Sequence, residues 1–319
     1  MNGRIILPIL LLLIFPLHII AQSEGCTDRH AINYDKHAVI NDGSCYYNKV
    51  NYKPSIWINA LPDTVHETSG LIWWRKSYWT HNDSGGENKI YRLDSATGNV
   101  IQTITLAGTS NIDWEDIDQD DNYIYVADVG NNYGNRTDLV IYKLSKRAIP
   151  IEGDTSLPCD VIRIAYGDQF DFRIKNRAND FDCEAILSFG DSLYLFSKSW
   201  LSLDSRLYAV PKISGSYLIY PIDVFNANGL ITGSTTNPGD KTIVLCGYKN
   251  YEPFIWILSD FWRNDFFGAN KRRIEFPELL GTQTEGISYI KEKIFAISAE
   301  RTLINKARIF KVDLDEIPY

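Results

Sequence analysis

Four glutamates recur at nearly regular places in this 319-residue chain: Glu67, Glu115, Glu184 and Glu285, with Thr232 in the matching place before the last. The successive intervals are 48, 69, 48 and 53 residues. Each sits in a short motif: Glu67-Thr68-Ser69-Gly70, Trp114-Glu115-Asp116-Ile117, Cys183-Glu184-Ala185-Ile186, Ile231-Thr232-Gly233 and Thr284-Glu285-Gly286-Ile287. Carboxylates brought to one axis repel, so they must be hydrated, protonated or neutralised. A hard, oxygen-seeking cation, Ca2+ before Mg2+, suits such a set of ligands. Bonds to backbone N–H groups and basic side chains would serve as well, and Arg136, Lys198, Lys249 and Arg301 are available. The sequence leaves both readings open.

A second set of polar residues follows each motif. It comprises His81 and Asp83, then Asp128, Asn131, Asn132 and Arg136, then Lys198 near Trp200, then Tyr248, and finally Arg301. Gathered on one face, these residues form a ligand-binding cluster. His81 titrates near neutrality and could move a proton, as could Glu115. The basic side chains would hold an anion. The same Asn, Asp and Gly residues also build turns, and His81 could equally be a hydrogen-bonded loop residue. The histidines have no zinc-like spacing, and nucleophile-elbow and phosphate-loop motifs are missing.

The elements that carry these residues are strands. Fourteen Phe, nineteen Tyr and eight Trp stand against one Met, a bias that suits pleated surfaces. Apolar residues alternate with a period of two, and turn signals lie between the runs. A strand–loop–strand unit recurs at Tyr78–Leu93, Tyr123–Leu144, Leu193–Val210, Ile243–Leu258 and Ile294–Val312, each eight to eleven residues after its motif residue. The long interval is accounted for by an insertion near residues 146–180. Units of about 50 residues, repeated radially, predict an all-β, five-bladed β-propeller, with six blades if the insertion hides one. The last unit lacks an outer strand, which Ser55-Ile56-Trp57-Ile58-Asn59 is free to supply, closing the ring without an open edge. Only the stretch from Ser259 to Gly268 reads as helical.

Residues 1–21 carry one positive charge and an uncharged apolar run ending at Ala21, the pattern of a signal peptide. No later segment is long and apolar enough to span a bilayer. Residues 22–49 form a small module in which Cys26 and Cys45 are expected to pair, as befits an exported protein. Residues 50–319 form the propeller. Cys159 and Cys183 could pair across the insertion, whereas Cys246 reads as a core thiol. The formal charge of −8, without a basic run, excludes a nucleic-acid binder.

The Gly25-Cys26-Thr27-Asp28 … Asn33-Tyr34 … Asp42-Gly43-Ser44-Cys45 pattern resembles a module of secreted Bacteroidetes proteins. His81-Asn82-Asp83-Ser84-Gly85-Gly86, Trp114-Glu115-Asp116-Ile117 and Asp128-Val129-Gly130-Asn131-Asn132 with Arg136 resemble a group of exported bacterial propellers. They are more distantly similar to esterase-like phytase and gluconolactonase-type propellers. That resemblance implies a divalent cation in the channel, although Thr232 interrupts the ring. The expectation is a secreted or periplasmic propeller that binds a glycan, peptide or protein, with Ca2+ on Glu67, Glu115, Glu184 and Glu285. The alternative is a Ca2+-dependent hydrolase of a phosphoester, lactone or other small anionic substrate.

Overall fold

The computed structural model describes residues 23–303 and 305–319; residues 1–21, read above as a signal peptide, lie outside them. Apart from three short 3-10 turns, the regular structure of the described residues is all strand. Five antiparallel four-stranded sheets make a five-bladed propeller. Their inner strands are Thr68–Trp74, Trp114–Gln119, Asp182–Phe189, Leu230–Asn237 and Thr284–Lys291. These lie side by side around one axis, the first strand beside both the second and the fifth.

Ser55–Ile58 closes the ring. It pairs antiparallel with Arg308–Asp313 in the fifth blade, setting Ile309 opposite Ile58 and Lys311 opposite Ser55. The insertion contains no sixth blade. Its Thr155–Pro158 strand runs back to add a parallel fifth strand to the first blade, and Asp160–Tyr166 is the outer strand of the second. Gly215–Ile219 and Val50–Asn51 extend the second and fourth blades in the same parallel manner.

Alternation sends apolar side chains to both faces of each blade, and the core forms between blades. An apolar cluster fills each of the five interblade spaces: Trp79 and Trp114 between the first and second, Tyr125 and Tyr208 between the second and third. Phe196 and Phe254 fill the next space, then Phe276 and Phe295, and Tyr78 with Ile58 and Ile309 at the closure. Cys26 and Cys45 are disulfide-bonded as expected. Their module leans on the fourth blade, where Thr27 Oγ1 donates to Asp260 Oδ2 at 2.9 Å.

Two local expectations are corrected. The stretch from Ser259 to Gly268 is not a helix: Ser259 ends a strand, and Asp260 and Arg263 adopt left-handed φ of 59° and 56°. Phe266 and Phe267 are drawn into the cluster between the third and fourth blades, which fixes this loop more strongly than helical propensity can. Cys159 and Cys183 are not paired, because they pack into different interblade clusters.

Closure by one strand makes a direct test. Ile58 is 3% exposed and Ile56, on the other face of the same strand, 53%. Ile58→Ala should cost about 2–5 kcal/mol in denaturant unfolding, and Ile56→Ala no more than about 0.5 kcal/mol.

Candidate functional site

The backbone register places the acidic residues at one end of the channel. In four blades the motif residue is the extra one of a β-bulge: Glu115, Glu184, Thr232 and Glu285 each fall between two paired neighbours. In the first blade the corresponding position belongs to Ser69, just before Gly70, as Glu285 precedes Gly286. Glu67 therefore does not join the deep ring. It stands at the level of Asp113, Asp182 and Gln283, half-exposed, 3.5 Å from His66 Nε2.

Glycine explains how tightly the ring is drawn. Gly70 has φ of +58°, and a Cβ there would lie 2.6 Å from Ile117 N. A Cβ on Gly286 would lie 2.5 Å from the carbonyl carbon of Gly70, and one on Gly233 would lie 2.7 Å from Glu285 O. The inner strands thus touch backbone to backbone just beyond the glutamates.

Two groups of carboxylates meet at this mouth. Asp83, Asp113 and Glu115 can each offer an oxygen within 4.8 Å of the others, and so can Glu115, Asp182 and Glu184. The second group is partly compensated. Lys198 Nζ donates to Glu184, while Asp182 accepts from Asn131 N at 2.6 Å and from Trp200 Nε1 at 2.8 Å. Glu115 belongs to both groups, and its Oε1 is buried without a hydrogen-bond partner. Gln283 donates to Glu300 and, at 3.4 Å, to Glu285.

Crowding in a dry place keeps protons on these acids. Burial, reinforced by Glu184, Asp83, Asp113 and Asp182, holds Glu115 well above the usual carboxylate range. Burial and neighbouring carboxylates push Asp113 up to about 7, against the pull of Arg136. Glu285 is pushed up to about 8 and Glu300 to about 7, in each case by burial first and in spite of Lys198. Burial opposes the charge on Lys198, but Glu184, Tyr248, Glu285 and Asp182 outweigh it and hold the ammonium protonated.

Of the four basic residues considered as partners for the glutamates, Lys198 alone bonds one. Arg136 binds Asp128 at 2.8 Å as an ion pair, donates to Asp138 Oδ1 and reaches the Gly130 carbonyl. Lys249 donates to Asn228, and Arg301 lies 3.7 Å from Asp63. The loop residues divide in the same way. Asp83 reaches the cluster, whereas Asn131 and Asn132 hold the turn together: Asn131 Oδ1 accepts from Arg136 N, and the Asn132 carbonyl accepts from Arg177 N. Tyr248 is buried beneath Lys198, whose ammonium lies 5.3 Å from its ring, and stacks on Tyr251 at 6.0 Å.

His81 is fully buried under the ring, edge-on to Trp114 at 5.5 Å, with Nδ1 3.0 Å from the Asn82 carbonyl. Burial lowers its pKa to about 4, so at neutral pH the imidazole is uncharged and packed as part of the core.

Comparison with known proteins assigns the chain no family and no activity. No family model matches the chain, and no curated protein does. Among solved structures, a PQQ-bound aldose sugar dehydrogenase of Streptomyces coelicolor aligns with TM-score 0.45 at 13% identity, covering 83% of this chain and 97% of that one. A protein of unknown function from Dyadobacter fermentans gives TM-score 0.45 at 9% identity over 82% and 97%. A 6-phosphogluconolactonase-like propeller of Bacteroides uniformis gives 0.38 at 12% over 78% and 71%.

Asp113, Asp182 and Glu300 had escaped the sequence reading. The first two carried a signal, an Asp-x-Glu pair in Asp113-Trp114-Glu115 and Asp182-Cys183-Glu184 that puts both acids on one face of a strand. Glu300 carried one as well, since it follows the second strand of its hairpin at the place Asp83 holds in the first blade.

A pH dependence follows. Asp113, Glu285 and Glu300 have folded-state values of about 7 to 8, above the ~4 of an unfolded chain. The folded state then binds the extra protons, and the stability they supply is lost as pH rises through those values. In EDTA the melting temperature should fall between about pH 6 and pH 9, and a flat or rising profile would contradict this charge state.

Proposed function

We propose that this chain is a ligand-binding propeller whose acidic mouth holds a divalent cation, Ca2+ before Mg2+, and that an anionic or hydroxylated group of a glycan, peptide or protein binds there. The observation that carries the reading is Glu115: a buried carboxylate oxygen without a partner, within reach of Asp83 and Asp113 on one side and of Asp182 and Glu184 on the other. Buried polar atoms of native proteins rarely go without a partner. The donor set is all oxygen, which is what Ca2+ takes, at six to eight oxygens per ion. Asp83, Asp113 and Glu115 would hold it, since Lys198, Asn131 and Trp200 already occupy the other pair. Protein carboxylates then fill part of the shell, and oxygens of the bound partner would complete it.

The geometry favours binding over hydrolysis. Of the two proton shuttles of the hydrolase reading, Glu115 and His81, the histidine is buried and neutral, and of its anion holders Arg136 is engaged with Asp128, Asp138 and a backbone carbonyl. Glu67 contributes only from the rim. The leader-like residues 1–21, the Cys26–Cys45 disulfide and the absence, among described residues, of any helix long and apolar enough to cross a membrane support export to the periplasm or beyond.

A thermal melt of the whole chain in EDTA and across a calcium titration tests the reading. A site filled to about 100 times its Kd should add about 2.7 kcal/mol, roughly 5–10 °C for a domain of this size. Asp113→Asn and Glu115→Gln should abolish the calcium shift and, by relieving repulsion, melt higher than the parent in EDTA. If neither calcium nor magnesium moves the parent's melt, the cation is excluded.

A further inference from the structure

The inner strands define a second mouth at their other ends. There a cavity of about 550 Å3 is lined by residues from all five blades. The contacts at Gly70, Gly233 and Gly286 lie between it and the carboxylate ring. We propose that this cavity is a binding site for a small neutral saccharide, separate from the acidic mouth.

Three observations lead there. The first is unmet hydrogen-bonding capacity: Ser188 and Gln119 line the cavity, and Ser188 Oγ and Gln119 Oε1 lie buried behind its surface without a protein partner. Such atoms are satisfied by whatever enters, water or a ligand hydroxyl. Both are held in place by the ring itself. Ser188 N donates to Asp118, and Gln119 Nε2 donates to the Trp73 carbonyl at 2.9 Å.

The second is aromatic surface. Trp73, Trp74 and Tyr289 edge the same cavity and are only partly buried. Apolar walls with a few placed polar groups are the ordinary make-up of a small-molecule site, and the volume falls within the usual ~300–1,000 Å3. A sugar ring, with hydroxyls at its edge and C–H groups on its faces, matches both kinds of surface.

The third is charge. Lys146 donates to the Asp120 carbonyl, and Lys212 lies 3.3 Å from Asp120 Oδ2 while donating to the Gly190 carbonyl at 2.8 Å. Asp118 faces both lysines and Asp121 faces Lys146, so two cations stand against three aspartates and most of the charge at this end is offset, which leaves an ion little to gain by entering. That balance separates this mouth from the crowded carboxylates opposite.

The test is saturation-transfer NMR and tryptophan fluorescence of the whole chain with glucose, N-acetylglucosamine, maltose and cellobiose, each titrated in EDTA and again in calcium. At least one sugar should bind saturably, with the same midpoint in both buffers. Ser188→Ala and Gln119→Leu, each checked for an unchanged fold by its melt, should weaken it about two- to tenfold. The proposal is overturned if no sugar saturates. It is equally overturned if binding requires calcium and is indifferent to both substitutions, which would place the sugar at the acidic mouth.

Discussion

Neighbouring blades meet at the axis along strands that do not pair. Each inner strand is the edge of its own sheet, so it presents backbone N–H and C=O groups that no ladder satisfies. Side chains make up the deficit. Ser69 Oγ donates to the Glu115 carbonyl, and Asp116 accepts from Ile186 N at 2.8 Å. Ser234 Oγ donates to the Ile186 carbonyl at 2.7 Å, Thr232 Oγ1 donates to the Thr284 carbonyl, and Thr235 Oγ1 accepts from Tyr289 N at 3.1 Å. The interblade apolar clusters draw the blades together, but these bonds set how deeply one strand lies against the next.

That requirement accounts for the composition of the inner strands. A strand enclosed on all sides would ordinarily be apolar, yet here Asp, Glu, Ser and Thr stand at successive positions and are buried. Each must find a partner or carry a cost in free energy. Asp116 finds two N–H donors, Ile117 and Ile186, although burial still raises its pKa. Lys198 fulfils the same need for Glu184. The polar positions that stitch the ring and those that face its mouth alternate along the same few residues, so structure and site are parts of one pattern.

What could be read from the sequence follows from that pattern. Period-two alternation and five evenly placed motifs revealed the blades, and the missing outer strand of the last unit revealed the closure through Ser55–Ile58. The register was harder. Matching acid to acid put Glu67 in the ring, while matching the close-approach glycines, Gly70 with Gly286, puts Ser69 there. Glycine marks where backbones touch, a geometric demand no other residue meets, so it is the safer anchor for aligning repeats. The chemistry of His81 was illegible for another reason. Its neutrality arises from burial under Trp114 and the ring, and burial is a property of the assembled blades. The loop after Ser259 misled because Ser259 and Gly268 look like a helix cap and stop, while Phe266 between them is held by Phe189 and Tyr194 of the third blade.

The two ends of the channel then differ in a way the fold does not require. Stitching needs acceptors and donors in roughly equal supply, and the far end shows that balance in Lys146 and Lys212 against its aspartates. At the near end Asp83, Asp182, Glu184, Glu285 and Glu300 share Lys198, and Asp113 and Glu115 crowd in beside them, with Arg136 already matched to Asp128 and Asp138. Backbone satisfaction alone would be met by serine or threonine at the ring positions, as Ser69 and Thr232 demonstrate. Glutamate at the other three adds repulsion that protons relieve only at the cost of raised pKa values. A surplus of buried carboxylate beyond what the ring consumes is what the proposed cation would neutralise. Glu115, common to both groups of acids and unsatisfied by either, marks where that charge would sit.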